Sequence, residues 1–208
     1  MIKALLIDVD GVLIDGRPLD GLNWAHDLEK DLGIRRDDLV ASFFAPYWDD
    51  IVCGRDGILG PLTSTLGEIA PHADAQALLD YWFSHDARIN GALLDQLSLF
   101  RQKNGLPCYL ATNQEHLRAA YIMNDLALGA HTDGIFYSAA MGCRKPDLDF
   151  YKSIQSALNL APENLLLIDD TKENLEAASR LGWQSLHWTK GSSVGDISSL
   201  IASATQRA

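Results

Sequence analysis

Residues 4–13 read Ala4-Leu5-Leu6-Ile7-Asp8-Val9-Asp10-Gly11-Val12-Leu13, and this stretch decides the fold. An apolar run of Leu and Ile this short reads as a central strand of a parallel sheet, covered on both faces. It ends on two carboxylates, Asp8 and Asp10, and Gly11 lets the backbone turn behind them. In open α/β sheets ligands sit beyond the carboxyl ends of the strands. Asp8 and Asp10 are therefore aimed where chemistry is expected. Two neighbouring acids repel, so the spot favours a bound cation. The plain alternative is a turn, in which Asp bonds its own backbone and Gly supplies positive φ. Signals further along the chain decide between the two.

Composition narrows the class. The 208 residues can bury a sizeable core and fit one large domain, or one domain carrying an insertion. Hydrophobic content of 47% and charged content of 22% are those of an ordinary globular protein. The formal net charge of −11, with no basic patch, argues against nucleic acid or an anionic membrane as partner. Apolar runs such as Leu165-Leu166-Leu167-Ile168 are too short to span a bilayer. The N-terminus has no signal-peptide pattern. Cys53, Cys108 and Cys143 are widely spaced without CxxC, so neither a disulfide nor a zinc framework is expected, and the expected location is the cytoplasm. The six histidines lack ligand spacing and read as surface or capping residues.

Two textures follow one another. Residues 15–90 carry helical patterns and no clear strand. Leu22, Ala25, Leu28 and Leu32 recur at helical spacing before Gly33, and the segment 74–89 is again helical. From Gly91 the character changes. A helix ending near Asn104-Gly105, a strand at Cys108 to Ala111, a helix over 115–128 and a strand at 134–138 follow in turn. After them come a helix over 147–159, a strand at 164–168, a helix over 172–181, a strand at 184–188 and a last helix near 195–204. This alternation predicts a parallel sheet with right-handed crossovers, which the first strand must join. The predicted class is α/β, with a Rossmann-like sheet core made of residues 1–14 and 91–208. Residues 15–90 are an inserted all-helical domain.

Four polar groups follow the strands or lie in the loops of that core. They are Asp8/Asp10, Thr112-Asn113, Lys145-Pro146-Asp147 and Asp169-Asp170. Each has a local explanation. Thr112-Asn113 could cap the next helix, with Glu115 in its first turn. Lys145 could be solvated before a helix opened by Pro146. Asp169-Asp170 could be an exposed cap pair. Jointly these explanations weaken, because acid, hydroxyl, lysine and acid would gather at one edge of one sheet.

In that order the groups resemble the four motifs of the haloacid dehalogenase (HAD) superfamily, most of whose members are Mg2+-dependent phosphatases. Asp8 to Leu13 matches its DxDGxL motif, Thr112 its hydroxyl motif, Lys145 its lysine and Asp169-Asp170 its acidic pair. A helical insertion after the first motif resembles the C1 cap of subfamily I. The segments 142–147 and 168–174 look like the branch that includes the phosphatase domain of soluble epoxide hydrolases.

The resemblance implies roles. Asp8 is the nucleophile and forms an aspartyl-phosphate. Asp10 protonates the leaving alcohol and then accepts a proton from water. Mg2+ is held by Asp8, Asp170 and the backbone carbonyl of Asp10, with Asp169 holding a water on the metal. Thr112 and the amide of Asn113 bond phosphate oxygens, and Lys145 offsets charge. Members that act as dehalogenases lack an acid at the position of Asp10, so its presence favours phosphoryl chemistry. One departure stands out: Thr112 is followed by Asn-Gln-Glu rather than by a small residue.

In the insertion, Trp48 or Arg55 is the candidate contact to the leaving group. An arginine over an acidic site suits an anionic substrate. The competing reading places Phe43, Phe44, Tyr47 and Trp48 in the insertion's own core. An enclosed pocket favours small phosphorylated metabolites such as sugar phosphates or nucleotides. The expected function is hydrolysis of such a phosphomonoester. The alternatives are a phosphomutase or phosphotransferase on the same scaffold, or a non-catalytic binding module that should have lost some of these acids. The sequence leaves the oligomeric state open.

Overall fold

A computed structural model describes residues 1–206; residues 207 and 208, the end of the predicted core segment, lie outside the described residues. The strands β1 (Ala4–Ile7), β2 (Cys108–Thr112), β3 (Ile135–Tyr137), β4 (Leu165–Asp169) and β5 (Gln184–His187) form one parallel sheet. Their order is β3-β2-β1-β4-β5. The chain therefore runs outward from β1 in both directions, and β1 marks the switch point where α/β sheets open a ligand crevice. Every residue of β1 and β4 is buried, as a strand covered on both faces requires.

Between β1 and β2 lie only helices: α1 (Leu28–Leu32), α2 (Arg36–Leu39), α3 (Ala45–Val52), α4 (Leu59–Ile69), α5 (Ala75–His85) and α6 (Gly91–Asn104). A π-helical turn over Val40–Phe44 joins α2 to α3. Then α7 (His116–Asn124), α8 (Ser138–Met141), α9 (Leu148–Leu158), α10 (Lys172–Arg180) and α11 (Val194–Gln206) alternate with the strands. Side chains alternate across a strand. Leu5 and Ile7 accordingly pack with Leu93, Leu94 and Leu97 of α6 and with Ile197 of α11. Ala4 and Leu6 face the other way, with Phe150, Tyr151 and Ile154 of α9 and Leu175 of α10. The helices α1 to α5 bury a third cluster of their own, including Leu28, Phe43, Leu66, Leu79 and Phe83. Two chain segments connect it to the sheet. They run side by side, with Ile14 bridged to Ile89 and Asp15 N donating to Arg88 O at 3.0 Å.

Two helices are shorter than their periodicity predicts. The pattern from Leu22 yields a helix only over Leu28–Leu32. Asp20 accepts from Leu22 N and Asn23 from Ala25 N, and these side-chain turns compete with the helical ladder. The helix predicted over 115–128 stops at Asn124, and Ala127 lies in the left-handed region at φ 57°.

Candidate active site

The strand register assembles the site. Ile7 pairs with Leu110 on one side and Ile168 on the other. Asp8, Thr112 and Asp169 thus leave or end neighbouring strands at the same edge. Asp8 N still donates to Ile168 O at 2.9 Å, so the first acid is placed by the ladder itself. Gly11 turns the chain at φ 79°, and a Cβ there would overlap the Asp170 carboxylate. Glycine is therefore required both by the turn and by the approach of the fourth motif. The cleft between these loops has a volume of about 310 Å3 and is lined by Asp8, Asp10, Gly11, Thr112, Asn113, Lys145, Asp170, Thr171 and Asn174. A larger hollow, about 970 Å3, opens elsewhere around Arg101, Pro107 and His131, near the start of β2. It gathers no comparable set of acids, so size does not choose the site.

Lys145 is the hub. Its Nζ lies 2.8 Å from Asp8 and 2.7 Å from Asp169, and all three side chains are buried. Burial works to lower the Lys145 pKa, but the two facing carboxylates outweigh it and raise it. Burial also raises the Asp8 carboxyl, against the pull of Lys145. Asp8 is further oriented by Val9 N at 2.8 Å. Asp169 accepts from Thr171 N at 2.8 Å and from Asn174 Nδ2 at 3.0 Å, besides Lys145. Its hydrogen-bonding capacity is committed to holding other groups. Asn174, in the first turn of α10, is itself held through its carbonyl by Tyr151 Oη at 2.9 Å.

Asp10 behaves differently. It is an exposed residue at the cleft mouth whose carboxyl is turned toward the protein, where Oδ2 accepts from Gln114 Nε2 at 2.6 Å. Desolvation by the surrounding protein, with Asp86 adding, pushes its carboxyl up to about 6. A carboxyl in that range can hold and give up a proton near neutral pH.

Asp8, Asp169 and Asp170 each place a carboxylate oxygen within 4.8 Å of the others. Hard oxygen donors suit Mg2+. Asp8, Asp169 and the exposed Asp170 are thus the acids that could hold a cation at the cleft. The Asp10 carboxylate is outside this group.

Not every side chain singled out from the sequence is free to act in the cleft. The Asn113 side chain is occupied: its Nδ2 donates to Lys145 O and its Oδ1 accepts from Lys145 N, both at 2.9 Å. It ties the hydroxyl loop to the lysine loop. One Nδ2 hydrogen and the Oδ1 of Asn113 are thus committed to the Lys145 backbone. Trp48 packs against Phe44 and Trp82 within the helical insertion. Arg55 is paired with Asp49 at 2.6 Å and Asp50 at 2.5 Å on the surface. Neither Trp48 nor Arg55 lines the cleft. The insertion instead touches the core through Asp49, which meets Arg144 Nη2 at 2.7 Å, one residue from Lys145. Glu115, whose neighbourhood is the departure noted in the sequence, caps α7 by accepting from Leu117 N and Arg118 N. Gln114, Asn174 and Arg118 escaped the sequence reading. Gln114 had one local sign, its place in a polar triplet at a strand end.

Similarity to known proteins agrees with this geometry. The model of the haloacid dehalogenase-like hydrolase family matches residues 2–182. The chain is 28% identical to the sesquiterpene phosphatase astK of Aspergillus oryzae over 198 residues, 90% of each protein. It is 23% identical to the phosphorylated carbohydrates phosphatase of Thermotoga maritima over 200 residues, 89% of this chain and 84% of that protein. Among solved structures, the HAD family enzyme bt-2542 of Bacteroides thetaiotaomicron, in complex with magnesium and inorganic phosphate, superposes with a TM-score of 0.79. It is 19% identical, and the match covers 95% of this chain and 99% of that one.

Proposed function

We propose that this chain, which belongs to the haloacid dehalogenase-like hydrolases, is a Mg2+-dependent phosphatase of small phosphomonoesters. The observation that carries the reading is the division of labour between two acids. Asp8 is buried and paired to the Lys145 ammonium, whereas Asp10 lies at the cleft mouth and accepts only from the neutral amide of Gln114. One is built as a nucleophile and the other as an acid–base group.

An Asp8 carboxylate oxygen bonds to phosphorus as the ester P–O bond breaks. The electron pair stays on the ester oxygen, which takes the proton from Asp10. Water then attacks the aspartyl-phosphate and passes its proton to Asp10. Asp8 departs as carboxylate and inorganic phosphate is released. Lys145 keeps Asp8 aligned and offsets charge, and the Thr112 hydroxyl orients the phosphate. The backbone of Asn113, rather than its side chain, is the group offered to phosphate oxygens. Mg2+, when bound by Asp8, Asp170 and the carbonyl of Asp10, supplies positive charge against the phosphate oxygens. Asp169 acts by fixing Lys145 and the α10 turn.

In this reading residues 1–14 and 91–208 are the catalytic core and 15–90 a cap that excludes water over the cleft. The relatives' names point to esters of small organic alcohols, terpenoid or carbohydrate. The test is release of p-nitrophenol from p-nitrophenyl phosphate, with and without Mg2+, by wild type and Asp8→Asn. Mg2+-dependent release that falls to background in the variant is expected. Undiminished turnover by folded Asp8→Asn would remove the nucleophile assignment.

A further inference from the structure

We infer that Gln114 is the positioning residue for the acid–base group Asp10, an inference that rests on the phosphatase reading above. The two acids of the first motif are supported unequally. Asp8 is fixed by Val9 N and by Lys145. Asp10 sits at the open mouth of the cleft, where a carboxylate can swing between rotamers. The short hydrogen bond from Gln114 Nε2, at 2.6 Å, is what orients it.

Gln114 is built to do this. It is only 4% exposed, although glutamine is mostly a surface residue. Its carbonyl accepts from Ala139 N and from Ser138 Oγ, both at 3.2 Å, at the start of α8. The residue before it is tied to Lys145 on both sides, and the residue after it caps α7. With its backbone held from three directions, the side chain reaches back past Thr112 Oγ1, 3.4 Å from Nε2, to Asp10.

The chemistry of the donor matters as much as its place. Asp10 must carry a proton in one half of the cycle and accept one in the other. A lysine or arginine here would favour the carboxylate and weaken the acid. A neutral amide donates a hydrogen bond without adding charge. Because Nε2 occupies Oδ2, the transferable proton is confined to Oδ1, the oxygen left to face the leaving group. Gln114 thus selects which oxygen of Asp10 works and where it points.

The test uses two esters that differ in their need for acid. p-Nitrophenolate leaves with little protonation, whereas an alkoxide from hexyl phosphate must be protonated as it leaves. In the Mg2+-loaded full chain, Gln114→Met should leave the p-nitrophenol burst rate within about threefold of wild type. Hexanol release in a single turnover should fall at least about tenfold, a part of the ~10²–10⁴-fold that a positioned acid contributes. Gln114→Asn, which keeps the amide but is one methylene too short, should show the same selectivity and covers the case in which the methionine variant does not fold. Crystals of either variant without metal should show the Asp10 carboxylate displaced while Thr112 stays in place. Equal losses on both esters, or none, would overturn the inference and leave the phosphatase reading standing. Wild type that turns over neither ester would overturn both.

Discussion

The cleft at the end of β1 and the helical insertion over it are held together by opposite means. In the cleft, buried polar groups are cross-tied: Lys145 to two acids, Asn113 to the Lys145 backbone, Asn174 to Asp169. In the insertion, aromatic rings carry the packing. Trp82 contacts Trp24, Phe44 and Trp48 with ring centroids 5.1–5.7 Å apart, while the charges of Arg55 are spent on exposed partners. A cross-tied polar site fixes geometry to a fraction of an ångström and tolerates little change. An aromatic cluster tolerates repacking so long as volume is kept. The proposed chemistry therefore sits in the half of the molecule that is expensive to alter.

The largest expected effect breaks the cleft's hub. Lys145→Met keeps the length of the side chain but leaves Asp8 and Asp169 buried face to face without a cation. Removing one partner of a buried charge pair costs about 3–5 kcal/mol, so urea unfolding should show a loss of that size. Activity should vanish with it. A variant as stable as wild type would mean that the two carboxyls share a proton at no cost, and that the hub is not what holds the cleft.

The seam between the halves offers the next test. Arg118 of α7 is 1% exposed, the largest fully buried side chain of the described residues. It donates to Phe83 O at 3.1 Å and to Asp86 O, at the end of α5, and lies over the rings of Phe83 and Tyr121. Arg118→Met should strand those carbonyls at about 1–3 kcal/mol and expose the segment 83–91 to limited proteolysis before the sheet unfolds. Simultaneous cleavage throughout would show that the seam has no independent weakness.

This contrast also explains what the sequence makes legible. The strands announce themselves because an apolar run ending in an acid is a local pattern: Ala4 to Asp8 and Leu165 to Asp169 are both of this kind. That they form one parallel sheet follows from the order in which they alternate with helices. Thr112 and Lys145 are found by their place in that order. Gln114 is not, because its partner Asp10 lies 104 residues away and no local spacing records such a bond. Arg118 is hidden for the same reason: a buried arginine on an ordinary helix face reads as a solvated one until the carbonyls it satisfies are seen. The insertion is least legible of all. Its aromatic spacing fits both a core and a contact to the leaving group, and only packing separates Trp48, set among other rings, from a residue that lines the cleft. At its entrance, Asx turns at Asp20 and Asn23 defeat a sound helical period.

That entrance supplies the smallest test. Arg17 pairs with Asp20 and with Asp27, the latter at 2.6 Å, where the chain leaves the core for the insertion. The Arg17 guanidinium, with Leu22 N helping, holds the Asp20 carboxyl down at about 2. A folded-state pKa below the ordinary 3.8 stabilises the fold above that value, and the stabilisation is lost as pH falls from there through about 2. Asp20→Asn keeps the bond to Leu22 N and removes only the charge. The melting temperatures of wild type and variant should therefore differ slightly at pH 6 and converge by pH 2. Asp20 is solvent-exposed, so the gap at pH 6 should be smaller than for Arg118→Met and should shrink in high salt. No gap at pH 6, or one unchanged down to pH 2, would mean that the charge of Asp20 does not hold the entrance. The entrance would then rest on the Asx turns of Asp20 and Asn23 and not on its ion pairs.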